Sequence, residues 1–388
     1  MKILFLTTIL PQKQRMGSEV ASQCFIDGLQ KNGHEVVTVG YMRQDDVFEL
    51  TPYEIAVDKR YIETKKAGKH RTALWLILSL WLKLPYSAAK YYSKTYIQIV
   101  KQLLNTKEFN IVIIDHPQLG WLEKFVPDQT ELVTIAHNIE HEIYQDNAKA
   151  ARHPLARWIY QREARLIKAM EDQLAAKVRQ VWTLTAHDSQ YFATVQPQEQ
   201  VKTFALPPGL ATPQYSTPTK EFDIGLIGSW AWKPNEEGLQ WFLQQVYPLL
   251  PPSLSIHVAG RGAEWLDQQY PNIHYRGFVP NAQEFMAQAK AVAVPTLSGG
   301  GIQIKTLDAI ASGSAIVATP VALRGISDLP PTVQIAEQAA DFALQLTSTV
   351  SSASITSEEI SKYSFNWCCD RQSKFLNELM NAVHAFKK

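Results

Sequence analysis

Three consecutive glycines, Gly299, Gly300 and Gly301, stand between an apolar run (AVAVP) and a segment of helical period (IQIKTLDAIASG). Backbone N–H groups at a helix start, reinforced by the helix dipole, form an anion site suited to phosphate. Lys305 would lie in the first turn and add a full positive charge. Asp308, one turn further on, can accept hydrogen bonds from ribose hydroxyls. The plainer alternative is a tight strand-to-helix turn with a solvated lysine, although three glycines exceed what such a turn needs. The run lacks the Gly-Lys-Ser/Thr ending of a Walker loop. Only Gly17 occurs in the loop after the first apolar run, so the dinucleotide fingerprint is missing and NAD binding is disfavoured.

The elements around these residues follow one rhythm. KILFLTTIL reads as a strand buried on both faces, EVASQCFIDGLQKNG as an amphipathic helix ending at Gly33, and HEVVTVGY as the next strand. Strand-like runs return at NIVIIDH, ELVTIAHN and QVWTLT, with a long helical stretch from Pro154 to Lys177. PPGLATPQYSTPTKE, with four Pro and three Thr, reads as an interdomain linker. After it the pattern restarts with FDIGLIGS, NEEGLQWFLQQVYPLL, LSIHVAG, NIHYRG, NAQEFMAQA and AVAVP. Strands alternating with helices in both halves predict an α/β protein of two doubly wound, Rossmann-like parallel-sheet domains. The expected boundaries are 1–207 and 208–365, with a helix over 366–388 packing back on the first domain. In such sheets ligands bind beyond the carboxyl ends of the strands.

Composition narrows the function. With 388 residues, 46% hydrophobic and 19% charged, the chain can build two ordinary cores. A net charge of +1 argues against a dedicated nucleic-acid binder. Cys24, Cys368 and Cys369 suggest neither a disulfide framework nor a zinc site, and a reducing, cytoplasmic setting fits them. The opening MKILFLTTIL reads as a buried strand and not as a signal peptide. No segment is apolar for long enough to span a membrane. Residues 65–104 are basic and aromatic. Leu74, Ile77, Leu78 and Trp81 form a stripe, surrounded by Lys65, Lys66, Lys69, Arg71, Lys83, Lys90, Lys94 and Lys101. One reading has this stretch covering the first sheet with its lysines solvated. The other makes it an interfacial helix that meets an anionic membrane on its inner face and presents a lipid-linked acceptor.

The sequence resembles the group 1, or family 4, glycosyltransferases of the GT-B fold. The resemblance runs through KILFLTT, the Gly17 loop, LQKNGHEVVTV, IAHNIEHEIY and TAHDSQYF in the first half. In the second half it is carried by FDIGLIGSWAWKPNEEGLQWFL, HVAGRG, YRGFVP and GGGIQIKTLDAIASGSAIVAT, the last being the most specific. It implies an active site in the cleft between the domains, a nucleoside-diphosphate sugar as donor, and a glycan, lipid-linked or small-molecule acceptor. No metal or other cofactor is expected.

Carried over by position, Asp308 stands where the family's second motif glutamate binds the ribose. Gly300 stands where the more common pattern has the first glutamate, which contacts the donor sugar, so this chain departs from that pattern. Gly299, Gly301 and Ile302 would offer backbone donors to the diphosphate. Gly277, Phe278 and Val279 match the loop that holds the base, and Gly228 and Ser229 the loop after the donor domain's first strand. Lys233 and Arg261 are the cationic candidates there. His137 matches a histidine near the donor sugar, and Gly17 a glycine loop near the diphosphate.

The implied reaction is retaining transfer, with His137, Lys305 and Arg261 as the residues assigned to it. N–H groups and cations would stabilise the charge that grows on the leaving diphosphate. Surface polysaccharide, glycolipid or glycoconjugate synthesis is the expected setting. A non-catalytic sugar-nucleotide-binding subunit is the first alternative, since Gly300 and Asp308 both replace Glu; a sugar-nucleotide epimerase is the second. His116 is expected to serve its loop structurally. Trp230 and Trp232 are equally suited to ligand contact and to interdomain packing, and Glu140 and Glu171 to cleft or helix positions.

Overall fold

The structure is a computed structural model that describes residues 1–62, 66–351 and 356–386. Contacts divide it into one compact unit of Met1–Leu206 with Phe375–Lys388 and a second of Pro207–Lys374.

The first unit holds strands β1 (Lys2–Ile9), β2 (Glu35–Arg43), β3 (Glu54–Arg60), β4 (Ile111–Asp115), β5 (Glu131–Ala136), β6 (Gln180–Thr183) and β7 (Val201–Thr203). They form one parallel sheet in the order β3-β2-β1-β4-β5-β6-β7. Every residue of β1 after Lys2 is buried, because helices cover both faces. Leu4 pairs with Val37 on one side and Val112 on the other. The helices are α1 (Gly17–Lys31), α2 (Gly68–Trp81), α3 (Tyr86–Ala89), α4 (Lys94–Thr106), α5 (Glu140–Ala150), α6 (Pro154–Lys177) and α7 (Ala186–Phe192). Glu19 anchors the start of α1. It accepts the Arg15 N–H at 2.8 Å and pairs with the buried Arg43 guanidinium.

The second unit repeats the plan with β8 (Phe222–Ile227), β9 (Ile256–Ala259), β10 (Ile273–Gly277), β11 (Ala289–Val294), β12 (Ala315–Ala318) and β13 (Val333–Ile335), in the order β10-β9-β8-β11-β12-β13. Its helices are α8 (Lys233–Trp241), α9 (Ala282–Ala287), α10 (Ile304–Ala311), α11 (Ala339–Ser351) and α12 (Ser357–His384). In both sheets the first strand lies between the second and the fourth. The order in which successive strands are laid down therefore reverses at β1/β4 and at β8/β11, the crevices where doubly wound sheets hold ligands.

Three details differ from the sequence reading. The helix after the glycine run begins only at Ile304, since Gly299 (φ 125°) and Gly301 (φ 64°) adopt left-handed backbone that ends any helical continuation. α12 starts at Ser357, well before residue 366. Ser357 to Lys374 belong to the second unit, while the following turns pack in the first, where Phe375 meets Phe25 with ring centroids 5.3 Å apart. Trp230 is buried in the core of the second unit with Phe242 and Leu226, so interdomain packing does not describe it. Lys65, part of the basic stretch, lies outside the described residues.

Candidate functional site

The switch point of the first unit gathers a charged group that sequence reasoning did not assemble. Asp115 ends β4 and is completely buried. Its Oδ1 lies 2.6 Å from Nε2 of His137, the residue just past β5. Its Oδ2 accepts hydroxyl hydrogen bonds from Thr7 on β1 and Ser22 on α1, both at 2.7 Å. His116 completes the group, with Nδ1 3.2 Å from the same Oδ2 and its ring stacked on His137 at 4.2 Å between centroids. Its φ of 82° is one that non-glycine residues rarely adopt. Such strain persists where surrounding contacts over-determine it, often at functional sites.

Burial alone would raise the Asp115 pKa, but the two histidines outweigh it and hold the carboxylate well below its usual range. Burial also disfavours the charged form of His116, yet Asp115 more than offsets this and His116 is raised. Burial and the neighbouring His116 lower His137. The shared carboxylate thus favours the charged form on His116 and the neutral form on His137. Because a carboxylate can only accept, neutral His137 carries its hydrogen on Nε2, which leaves its Nδ1 with a lone pair. The ligand atoms of Asp115, His116 and His137 lie within 4.8 Å of one another, the group best placed to hold a metal among the described residues. The carboxylate, however, is already engaged on both oxygens by four protein partners.

Next to this group, Glu171 on α6 accepts the backbone N–H groups of Glu140 and His141, at 2.7 and 3.1 Å, and so closes the start of α5. Burial raises the pKa of both Glu140 and Glu171. Gly17 opens α1, whose residue Ser22 reaches Asp115.

In the second unit, four neighbouring strand ends carry the other candidates. Gly228 and Ser229 follow β8, Gly260 to Gly262 follow β9, Gly277 to Val279 end β10, and Gly299 to Ile302 follow β11. The first two loops pack backbone against backbone, and the Trp230 indole adds a hydrogen bond to the Ala259 carbonyl at 2.8 Å. A Cβ on Gly260 (φ 109°) would lie 1.8 Å from the Gly228 carbonyl oxygen. The Trp230 N–H donates to the Arg261 carbonyl at 2.9 Å. The exposed Arg261 guanidinium sits 4.7 Å over the Phe278 ring, which is itself 63% exposed. Trp232 is likewise exposed and its ring lies beside Gly299. Arg324, in the turn after β12, donates to the Gly299 carbonyl at 2.7 Å and fixes the glycine loop from behind.

Lys305 does occupy the first turn of α10, but it is not solvated. Its Nζ donates to Asn235 Oδ1 at 2.6 Å, and Asn235 Nδ2 donates to the Ser229 carbonyl at 3.1 Å. The chain Lys305–Asn235–Ser229 ties α10 to the loop after β8. Burial lowers the Lys305 pKa to about 8. Burial raises that of Asp308 to about 6, against a hydrogen bond with Gln283. Lys233 projects into solvent at the start of α8 and pairs with Glu237 at 3.5 Å. Gly300 has no positive φ, so backbone conformation does not demand glycine there. Asp115, Asn235 and Arg324 are the participants that sequence reasoning missed. The detectable signal for Asp115 was an acid closing an otherwise apolar strand, IVIID.

Residues 221–350 match the family model described as glycosyl transferases group 1. The second unit is similar to the group 1 glycosyl transferases. No curated protein matches the chain in sequence. Among solved structures, a sucrose-phosphate synthase from Thermosynechococcus elongatus superimposes with a TM-score of 0.66 at 14% identity, covering 100% of this chain and 97% of that one. The lipopolysaccharide outer core galactosyltransferase WaaB gives 0.63 at 11% identity, with 99% of each chain covered. HepE from Anabaena, in complex with UDP and glucose, gives 0.60 at 13% identity, covering 99% of this chain and 98% of that one. At these identities the likeness is one of fold. Each unit has the doubly wound parallel sheet of the GT-B glycosyltransferases.

Proposed function

We propose that the chain is a retaining glycosyltransferase, of the family 4 subset with a glycine-rich loop and Lys in place of the first motif glutamate. It moves a sugar from a nucleoside-diphosphate sugar to an acceptor hydroxyl, in surface polysaccharide, glycolipid or glycoconjugate synthesis on the cytoplasmic side. The observation that carries this reading is the glycine loop at the β8/β11 switch point, set at the start of α10 inside the segment that matches the family model. That two of the similar structures hold UDP with glucose and UDP-glucose supports a nucleoside-diphosphate sugar as the donor class.

In this reading Gly299, Gly301 and Ile302 meet the diphosphate with backbone N–H groups, Lys305 and Arg261 supply positive charge, and Asp308 receives the ribose hydroxyls. Phe278, with Gly277 and Val279, flanks the base, and Gly228 and Ser229 close the loop beside it. Donors already in place where negative charge grows on the leaving group lower the barrier. Protein cations carry that role, so a divalent metal is not required. His137, held by Asp115, positions the transferred sugar, and Gly17 belongs to the same side.

The test is incubation of the purified chain with UDP- and GDP-sugars in the presence of a chelator. Slow release of free sugar with the donor's anomeric form is expected. Tight nucleotide binding with no turnover would instead establish a binding subunit, the alternative favoured by Gly300 and by the engagement of Lys305 with Asn235.

A further inference from the structure

Helix α2 is apolar nearly all round, yet it turns only Trp75 and Ser79 inward. Leu74, Leu76, Ile77, Leu80 and Trp81 are all at least half exposed. A helix of this character is normally buried, and an exposed patch of this size on one element marks a contact surface. The patch continues on a second helix. Arg162 of α6 donates to the Ser79 hydroxyl at 3.1 Å and to the Ser79 carbonyl at 3.2 Å, so the two helices touch. One and two turns earlier on the same face of α6 stand Ile159, Trp158 and Leu155, all exposed.

The charges along the stretch that holds α2 have one sign. Residues 66–107 contain no Asp or Glu and eight Lys or Arg. On the neighbouring stripe of α6, a cavity shared with α5 is lined by Lys149, Arg157, Arg165 and Lys168, of which Lys149 pairs with Asp146 at 2.8 Å and Lys168 with Asp172 at 2.7 Å. Apolar side chains that include two tryptophans, bordered by the acid-free basic stretch around α2 and by Arg157 and Arg165 on α6, match the boundary of an anionic bilayer. There indoles settle at headgroup depth and Lys and Arg meet lipid phosphates. No helix among the described residues is long and apolar enough to cross a membrane, which leaves contact parallel to its surface.

We propose that α2 and the first turns of α6 form a two-helix docking surface for anionic lipid. It stands independently of the glycosyl-transfer reading, because neither helix carries a residue assigned to that chemistry.

The test is co-sedimentation of the full chain with phosphatidylcholine vesicles, with and without phosphatidylserine. Two variants are compared, Ile77→Ser with Trp81→Ser on α2, and Trp158→Ser with Ile159→Ser on α6. All four positions are exposed, so the fold should survive, as circular dichroism melting will show. Wild type should bind only the anionic vesicles, and each double variant should lower the bound-to-free ratio about tenfold or more. High salt should weaken wild-type binding. Absence of wild-type binding would overturn the proposal, and so would equal binding to neutral vesicles. Full binding by the α6 variant would remove α6 from the surface. A dimer in light scattering that the same variants dissociate, with no vesicle binding, would assign the patch to a second copy and reject lipid.

Discussion

Asp115 Oδ1 and His137 Nε2 are 2.6 Å apart, and this bond decides which nitrogen of His137 keeps its hydrogen. With the carboxylate fixed by Thr7 and Ser22, His137 has neither a free ring orientation nor a choice of tautomer. Asp115 is therefore a positioning residue. Asp115→Asn keeps the shape but presents an amide that can donate to Nε2 and reverse the tautomer. We expect kcat to fall about a hundredfold with donor KM little changed, the cost of a misplaced positioning group. His137→Ala should cost as much, and the double variant little more than either. Additive losses would mean that the two residues act separately.

The pH dependence of donor binding should show two limbs. Asp308 loses its charge as pH falls through about 6, and Lys305 loses its charge as pH rises through about 8. If one receives ribose and the other supports the diphosphate, nucleotide affinity peaks between these values. Calorimetry with UDP or GDP across this range checks it, and Asp308→Asn should remove the acid limb alone.

The same burial has a sign for stability. The folded pKa of Asp308 exceeds the ordinary carboxyl value, so the native state binds more protons than the unfolded chain between about pH 4 and pH 6, and stability falls as pH rises through that window. At pH 7 the buried charge costs about 2–3 kcal/mol. Asp308→Asn should thus raise the melting temperature at pH 7 while weakening nucleotide binding. A variant that is both less stable and unchanged in affinity would place Asp308 in the core and not in the site.

Glu19→Ala tests the anchor at the start of α1. It strips the buried Arg43 of its counter-charge and releases the Arg15 N–H beside Gly17. Removing one partner of a buried pair costs about 3–5 kcal/mol, measurable by urea unfolding. Glu19→Ala with Arg43→Met should recover most of the loss.

The alternation of apolar runs and helical periods was enough to predict both doubly wound sheets, because strands buried on two faces must be apolar throughout. The short edge strands were hidden for the opposite reason. β3 exposes Asp58 and Lys59, and β7 and β13 are three residues each, too short to show a period. The glycine loop was legible because glycine reports backbone directly, and two of its three residues do use left-handed backbone. The partners of the site were not legible. Asn235 meets Lys305 across 70 positions of sequence, and Arg324 reaches Gly299 across 25. Asp115 lies 22 residues before His137, and only the pairing of β4 with β5 makes them neighbours.

Gly260 and Arg261 separate geometry from charge in the donor loops. Gly260→Ala places a methyl carbon where the Gly228 carbonyl oxygen already stands and requires a left-handed backbone that alanine resists. The loops after β8 and β9 must part, and nucleotide binding should be lost along with some stability. Arg261→Ala leaves the backbone as it is and removes only the cation above Phe278. Its expected effect is a fall in turnover, with the melting temperature unchanged. Equal losses of binding and stability in both variants would show that Arg261 serves the loop and has no part in holding the leaving diphosphate.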